Sequence, residues 1–120
     1  MGQSVIATMT FYKSIDMRAG LALRMAREAR KHGRKLIAVD GGSPMEFIAA
    51  LEGFGATVHP QKGKGLGPAH RQLFTLAAED AGEDGIVDWV EAEKWPLVAE
   101  LWKANRLIAN NMADLVMPCR

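Results

Sequence analysis

The chain reads as an α/β protein: a mostly parallel, Rossmann-like sheet with helices on both faces, forming a three-layer α/β/α sandwich. Three observations predict this. Short apolar or β-branched segments alternate with longer segments whose apolar residues recur at helical spacing, in the order βαβαβαβαβ. The helical segments carry start and stop residues where a helix needs them. The chemically distinctive residues fall where strands end, and in open parallel sheets that edge is where ligands bind.

Ser4–Phe11 (SVIATMTF) and Lys35–Asp40 (KLIAVD) have the near-continuous apolar character of strands buried on both faces. Between them a helix is predicted from Asp16 to His32, with Asp16 as its cap and Gly33 as its stop. The second helix has the clearest start, Ser43-Pro44-Met45-Glu46. Ser43 can cap, Pro44 suits the first helical position, and Glu46 completes a capping box. Phe47, Ile48, Leu51 and Phe54 form its apolar face, and Gly55 ends it. Ala56–His59 is a third, shorter strand. The third helix begins at Pro68, carries Leu73, Leu76 and Ala77, and stops at Gly82. Gly85–Val90 (GIVDWV) is the fourth strand, with Trp89 expected in the core. Pro96 opens a fourth helix bearing Val98, Leu101, Trp102, Asn105 and Ile108, and Ala113–Met117 is a fifth strand. Trp95 and Trp102 lie seven apart and, with Leu101, most simply pack on the sheet. Without repeats, linkers or low-complexity tracts, residues 1–120 read as a single domain, long enough to bury a core.

The formal net charge is +1, so the overall field supplies no drive toward nucleic acid or an anionic membrane. Charge is unevenly spread: seven Lys/Arg against one Glu lie between Arg18 and Lys35, and a mostly acidic stretch runs from Glu79 to Glu93. A solvated basic helix face opposite an acidic rim accounts for both. The single cysteine, Cys119, forms no internal disulfide and suits a reducing compartment. No apolar run approaches the length of a membrane span, and no leader pattern opens the chain, so a cytoplasmic protein is expected.

Four groups fall at the expected carboxyl ends of strands. The first strand closes with Thr8-Met9-Thr10-Phe11-Tyr12. The second closes with Asp40-Gly41-Gly42-Ser43. There a carboxylate can accept hydrogen bonds from a base or ribose, or can cap the turn before the second helix. The third is followed by Gln61-Lys62-Gly63-Lys64-Gly65-Leu66-Gly67-Pro68-Ala69-His70-Arg71. Alternate glycines leave amides approachable, Pro68 directs the loop into a helix N-terminus, and Lys62, Lys64 and Arg71 supply mobile cations. This is a phosphate cradle or a flexible turn with solvated lysines; it is neither a Walker A loop nor a dinucleotide fingerprint. His70 reads as a helix-face residue. The fourth strand is followed by Glu91-Ala92-Glu93-Lys94. Residues two apart in extended backbone point the same way, so Glu91 and Glu93 can address one hard cation, Mg²⁺ or Mn²⁺. Equally, they can supply negative charge to the Pro96 helix, with Lys94 neutralising them.

Taken in order, the strand Val5–Thr10, the strand-turn LIAVDGGS (Leu36–Ser43), the loop QKGKGLGPAHR, IVDWVEAEK and ADLVMPCR resemble the nucleotide-binding half of GT-A-fold, family-2-like glycosyltransferases. The GKGLG loop also looks like that of the retaining mannosyl- and glucosyl-glycerate synthase branch. The resemblance implies binding of a nucleoside-diphosphate sugar. Asp40 would contact the base; Thr8, Lys64, Gly65, Gly67 and Arg71 would line the nucleotide. Glu91 and Glu93 would stand for the family's Asp-x-Asp and hold the diphosphate through Mg²⁺ or Mn²⁺. In two places the chain differs from the family: Ala69-His70-Arg71 replaces Ala-Arg-Asn, and glutamates replace aspartates. The match covers nearly the whole chain but about half of such a catalytic domain, and the acceptor-binding half, which also bears the general base in inverting members, is outside it. No catalytic residue is assigned. The chain is thus expected to be a truncated GT-A-like domain that serves a transferase. The alternative is a non-catalytic nucleotide-binding or interaction module, its incomplete C-terminal side covered by a second copy or a partner chain.

Overall fold

The computed structural model describes residues 4–14, 16–82, 85–91, 96 and 98. Within them the chain runs β1 (Ser4–Thr10), α1 (Met17–Lys31), β2 (Lys35–Asp40), α2 (Met45–Gly53), β3 (Thr57–Pro60), α3 (Leu66–Ala81) and β4 (Ile86–Trp89). The strands form one sheet in the order β3-β2-β1-β4, and every pairing is parallel. The predicted α/β class and parallel sheet are therefore present, in an arrangement compatible with a Rossmann-like fold. The expected fifth strand, Trp95 and Trp102 lie outside the described residues, as does the expected fourth helix except for Pro96 and Val98; Val98 is buried.

From β1 the chain steps outward through β2 to β3, and α3 then returns it to the other side of β1. The direction of progression reverses at β1, and beyond the carboxyl end of such a reversal two connections leave the sheet in opposite directions and open a crevice.

Alternation along β1 and β2 divides the core. Ile6 and Leu36 join the α1 and α2 residues Ala22, Met25, Phe47 and Leu51 in one buried cluster. Val5, Ala7, Ile37 and Val39 join Leu73, Ala77 and Ala81 of α3 in a second. The inward stripe of α1 is almost all alanine (Ala19, Ala22, Ala26, Ala29), so the helix can approach the sheet closely. Phe47, fully buried, supplies the bulk from α2 and meets Tyr12 edge-on at 5.2 Å between ring centroids.

The first helix starts as expected: Asp16 Oδ1 accepts from the Ala19 amide at 3.1 Å, and Gly33 follows the C-cap with φ +66°. Other local expectations need correction. Pro44, not Ser43, is the N-cap of α2, and no side chain caps that helix. The Ser43 hydroxyl instead accepts from the Tyr12 amide at 2.9 Å, so it joins β1 to β2 and does not serve its own helix. The third helix begins at Leu66, two residues before Pro68. Trp89 is 43% exposed, because β4 is bounded by β1 on one side alone among the described residues, and its ring lies against His70 at 5.6 Å. No described helix is long and apolar enough to cross a membrane.

Candidate functional site at the carboxyl edge of the sheet

Across the carboxyl edge the connections follow the sheet order: the glycine-lysine loop after β3, the Asp40 turn after β2, Phe11 and Tyr12 after β1, and Glu91 after β4. The Asp40 turn therefore sits between the loop and the acidic segment. The strands that lead into them, β3 and β4, are three strand spacings apart, about 14 Å.

Asp40 is 5% exposed and fully engaged. Thr10 Oγ1 donates to its Oδ1 at 2.7 Å, and the Gly42 and Ser43 amides donate to its Oδ2 at 2.9 and 2.8 Å. Burial alone would raise the pKa of this carboxyl. The Ser43 hydroxyl, the Thr10 hydroxyl and the two amides outweigh it and hold the group below its ordinary range. An ionised carboxylate thus locks the Gly41–Gly42 turn. Gly41 is needed there for a second reason: a Cβ would stand 2.5 Å from the Phe11 ring and 3.2 Å from Gln61 Oε1. The Phe11 ring, 59% exposed, accordingly lies over bare backbone at the centre of the edge.

Gln61 joins this turn to the glycine-lysine loop. Its amide donates to Asp40 O at 2.8 Å, and its Nε2 donates to Gly63 O at 2.8 Å and Gly65 O at 3.1 Å. Gln72 braces the same loop from α3, accepting from the Lys62 amide at 2.9 Å and donating to Pro60 O at 2.8 Å. The three glycines have different reasons. At Gly63 a Cβ would lie 2.7 Å from Pro68 Cβ, so the loop folds tightly against the helix start. Gly65 is the N-cap with φ +86°, a backbone that side chains resist. Gly67 meets no steric demand; the nearest atom to its Cβ position is Arg71 Nη1 at 3.7 Å. No side chain caps α3, and Pro68 has no N–H, so the Leu66 and Gly67 amides at the positive end of the helix dipole are left without a capping side chain.

Asp40, Gly65, Gly67 and Arg71 are thus brought to one rim, with Lys62 and Lys64 exposed on the loop between them. Thr8 is not: it is 2% exposed within β1, paired in register with Ala38, and the threonine at the edge is Thr10. Glu91 stands exposed past the end of β4, after Val90, whose amide donates to Ala7 O at 3.0 Å. Glu93 lies outside the described residues. The described residues hold no group of three or more metal-ligating side chains. His70 is half-buried between Phe74 and Trp89, a packing role on the helix face. The sequence places Thr10, Phe11 and Gln61 in segments at this edge without the roles they take here, and does not single out Gln72 at all. Thr10 and Phe11 carried the signal of lying past the last core residue of β1, whereas the two glutamines show no pattern until the loop is folded.

No protein family, curated protein or solved structure matches the chain.

Proposed function

We propose that the chain binds a nucleoside-diphosphate sugar along the carboxyl edge of its sheet and serves as the nucleotide-binding half of a GT-A-like glycosyltransferase, a truncated three-layer α/β/α unit. One observation carries the reading. At the carboxyl edge of a parallel sheet, on its β2–β3 side, Gln61 ties a rigid aspartate-diglycine turn to a glycine-lysine loop that opens onto an uncapped helix N-terminus. Bare backbone beside an exposed aromatic ring accommodates a planar base. Uncapped first-turn amides with Lys62, Lys64 and Arg71 accommodate phosphate oxygens.

In this reading Asp40 acts through the shape of its turn, because its oxygens are committed to Thr10, Gly42 and Ser43. Phe11 supplies the apolar face for the base. Glu91, an exposed oxygen donor, suits a hard cation that takes one or two carboxylates and fills its remaining positions with diphosphate oxygens and water. Glu93 joins it by sequence position. The bound Mg²⁺ or Mn²⁺ would supply charge stabilisation to the leaving diphosphate. No described residue is placed as a nucleophile or base toward an acceptor hydroxyl.

A binding or interaction module is the second reading, and one observation favours it: Phe11, Met17 and Met45 are 59%, 83% and 79% exposed. All three stand at this edge, at the end of β1 and the starts of α1 and α2. Such a rim suits a covering protein surface. A thermal-shift screen of UDP- and GDP-sugars with and without Mn²⁺ tests binding, and turnover of a labelled sugar nucleotide separates enzyme from module. Metal-dependent stabilisation by at least one nucleotide sugar is expected. A melting temperature unmoved by all of them overturns the proposal.

A further inference from the structure

A second concavity lies off the edge, beside strand β3. It has a volume of about 450 Å³, within the range of small-ligand sites, and runs between His59 and Pro60 of β3 and the outer face of α3. Arg71, Thr75 and Glu79 line it at i, i+4 and i+8, so they form one stripe down the helix. Lys62 of the preceding loop lines it as well. Eight residues separate Arg71 from Glu79, about 12 Å along the helix axis. The groove is therefore cationic at one end, hydroxyl-bearing in the middle and anionic at the other, with Pro60 and Leu76 supplying apolar wall.

Two features distinguish this from an ordinary solvated surface. The walls are fastened together: the Gln72 amide group bonds both Lys62 N and Pro60 O, so strand end, loop and helix hold one spacing. The charges are also uncompensated. Among the described residues, Lys62, Arg71 and Glu79 take part in no ion pair, while Lys35, Arg34 and Glu28 all do. A cationic end formed by Lys62 and Arg71, with Glu79 two helical turns further along α3, matches a ligand with an anionic head and a donor-rich tail.

We propose that this lateral groove binds a small phosphate monoester, its phosphate between Lys62 and Arg71 and its hydroxyl or amino groups directed to Thr75 and Glu79. Arg71 offers a planar fork for two phosphate oxygens, and Lys62 adds a point charge. Thr75 and Glu79 accept from hydroxyl or amine donors, which gives preference over inorganic phosphate. The groove shares Lys62 and Arg71 with the edge described above, so a nucleotide held there competes with a phosphate monoester held here, while Thr75 and Glu79 belong to the groove alone.

The test is an amide NMR titration of the full chain with inorganic phosphate and with glucose 6-phosphate, repeated on Glu79→Gln and Arg71→Ala. Both substitutions are at exposed positions and preserve the core. Saturable shifts at Lys62, Gln72, Thr75 and Leu76 are expected, with glucose 6-phosphate tighter than inorganic phosphate. Glu79→Gln should weaken glucose 6-phosphate roughly tenfold, the worth of a hydrogen bond to a charged group, and leave inorganic phosphate unchanged. Arg71→Ala should weaken both probes. Absence of saturation to about 10 mM overturns the proposal, as do shifts confined to Gly41, Gly42, Gly65 and Gly67. Equal affinity for the two probes, insensitive to Glu79→Gln, also overturns it.

Discussion

Replacing Asp40 separates the two things its carboxylate does. In Asp40→Ala the Thr10 hydroxyl and the Ser43 amide lose their acceptor, and both residues are buried, at 4% and 8% exposure. The Gly42 amide is exposed and rehydrates. Each stranded buried donor costs about 1–3 kcal/mol, and the threonine hydroxyl can rotate toward another acceptor, so the loss should be about 3 kcal/mol. Asp40→Asn keeps the shape: one amide oxygen serves the two backbone donors, and Nδ2 donates to Thr10 Oγ1. Only the charge assistance is lost, about 1 kcal/mol. Urea denaturation followed by tryptophan fluorescence measures both as shifts in midpoint at constant slope. A loss below about 1 kcal/mol for Asp40→Ala, or equal losses for the two variants, would refute the network as described. The pH dependence gives an independent check. The folded-state pKa of Asp40 lies below its unfolded value. Its contribution is therefore fully present above the unfolded value and is lost as pH falls through the folded one. The gap between wild type and Asp40→Asn should narrow in that acid window and stay constant above it.

Two further outcomes follow from the same edge. Gly65→Ala places a side chain on a backbone with φ +86° and should cost about 1–3 kcal/mol, with a lower melting temperature and weaker nucleotide-sugar binding, because relief of the strain shifts the loop backbone and with it the Gly65 carbonyl that accepts from Gln61 Nε2. Glu91→Ala, at an exposed position, should leave the melting temperature of the free chain unchanged and remove the Mn²⁺-dependent part of nucleotide binding in calorimetry. Undiminished affinity in the presence of Mn²⁺ would remove Glu91 from the metal assignment.

The parallel sheet was legible because KLIAVD and SVIATMTF are apolar on both faces, and only strands covered on both sides tolerate that. Helix starts were legible where a side chain had no better partner, as at Asp16. Ser43 shows the limit. Its hydroxyl can cap a helix or bond a neighbouring strand, and the choice depends on Tyr12, a partner 31 residues away, at 2.9 Å. Trp89 shows another: alternation gave its period, but its 43% exposure goes with a β4 that, among the described residues, is bounded by β1 alone. In the candidate site, Asp40 and the glycines stood out because residue type alone marks a tight turn or a close approach. Which glycine met which constraint did not, since Gly63 answers to Pro68, Gly65 to its own φ, and Gly67 to neither. The spatial order along the edge, with Asp40 between the loop and Glu91, came only with the sheet order.

The central claim is that a nucleoside-diphosphate sugar lies along this edge, and an amide NMR titration of the chain with UDP-glucose and GDP-mannose in the presence of Mg²⁺ tests it most directly. Saturable shifts at Phe11, Gly41, Gly42, Gly65 and Gly67, reduced when Mg²⁺ is withheld, are the predicted result. Titrations that leave those amides unmoved for both nucleotide sugars would contradict it.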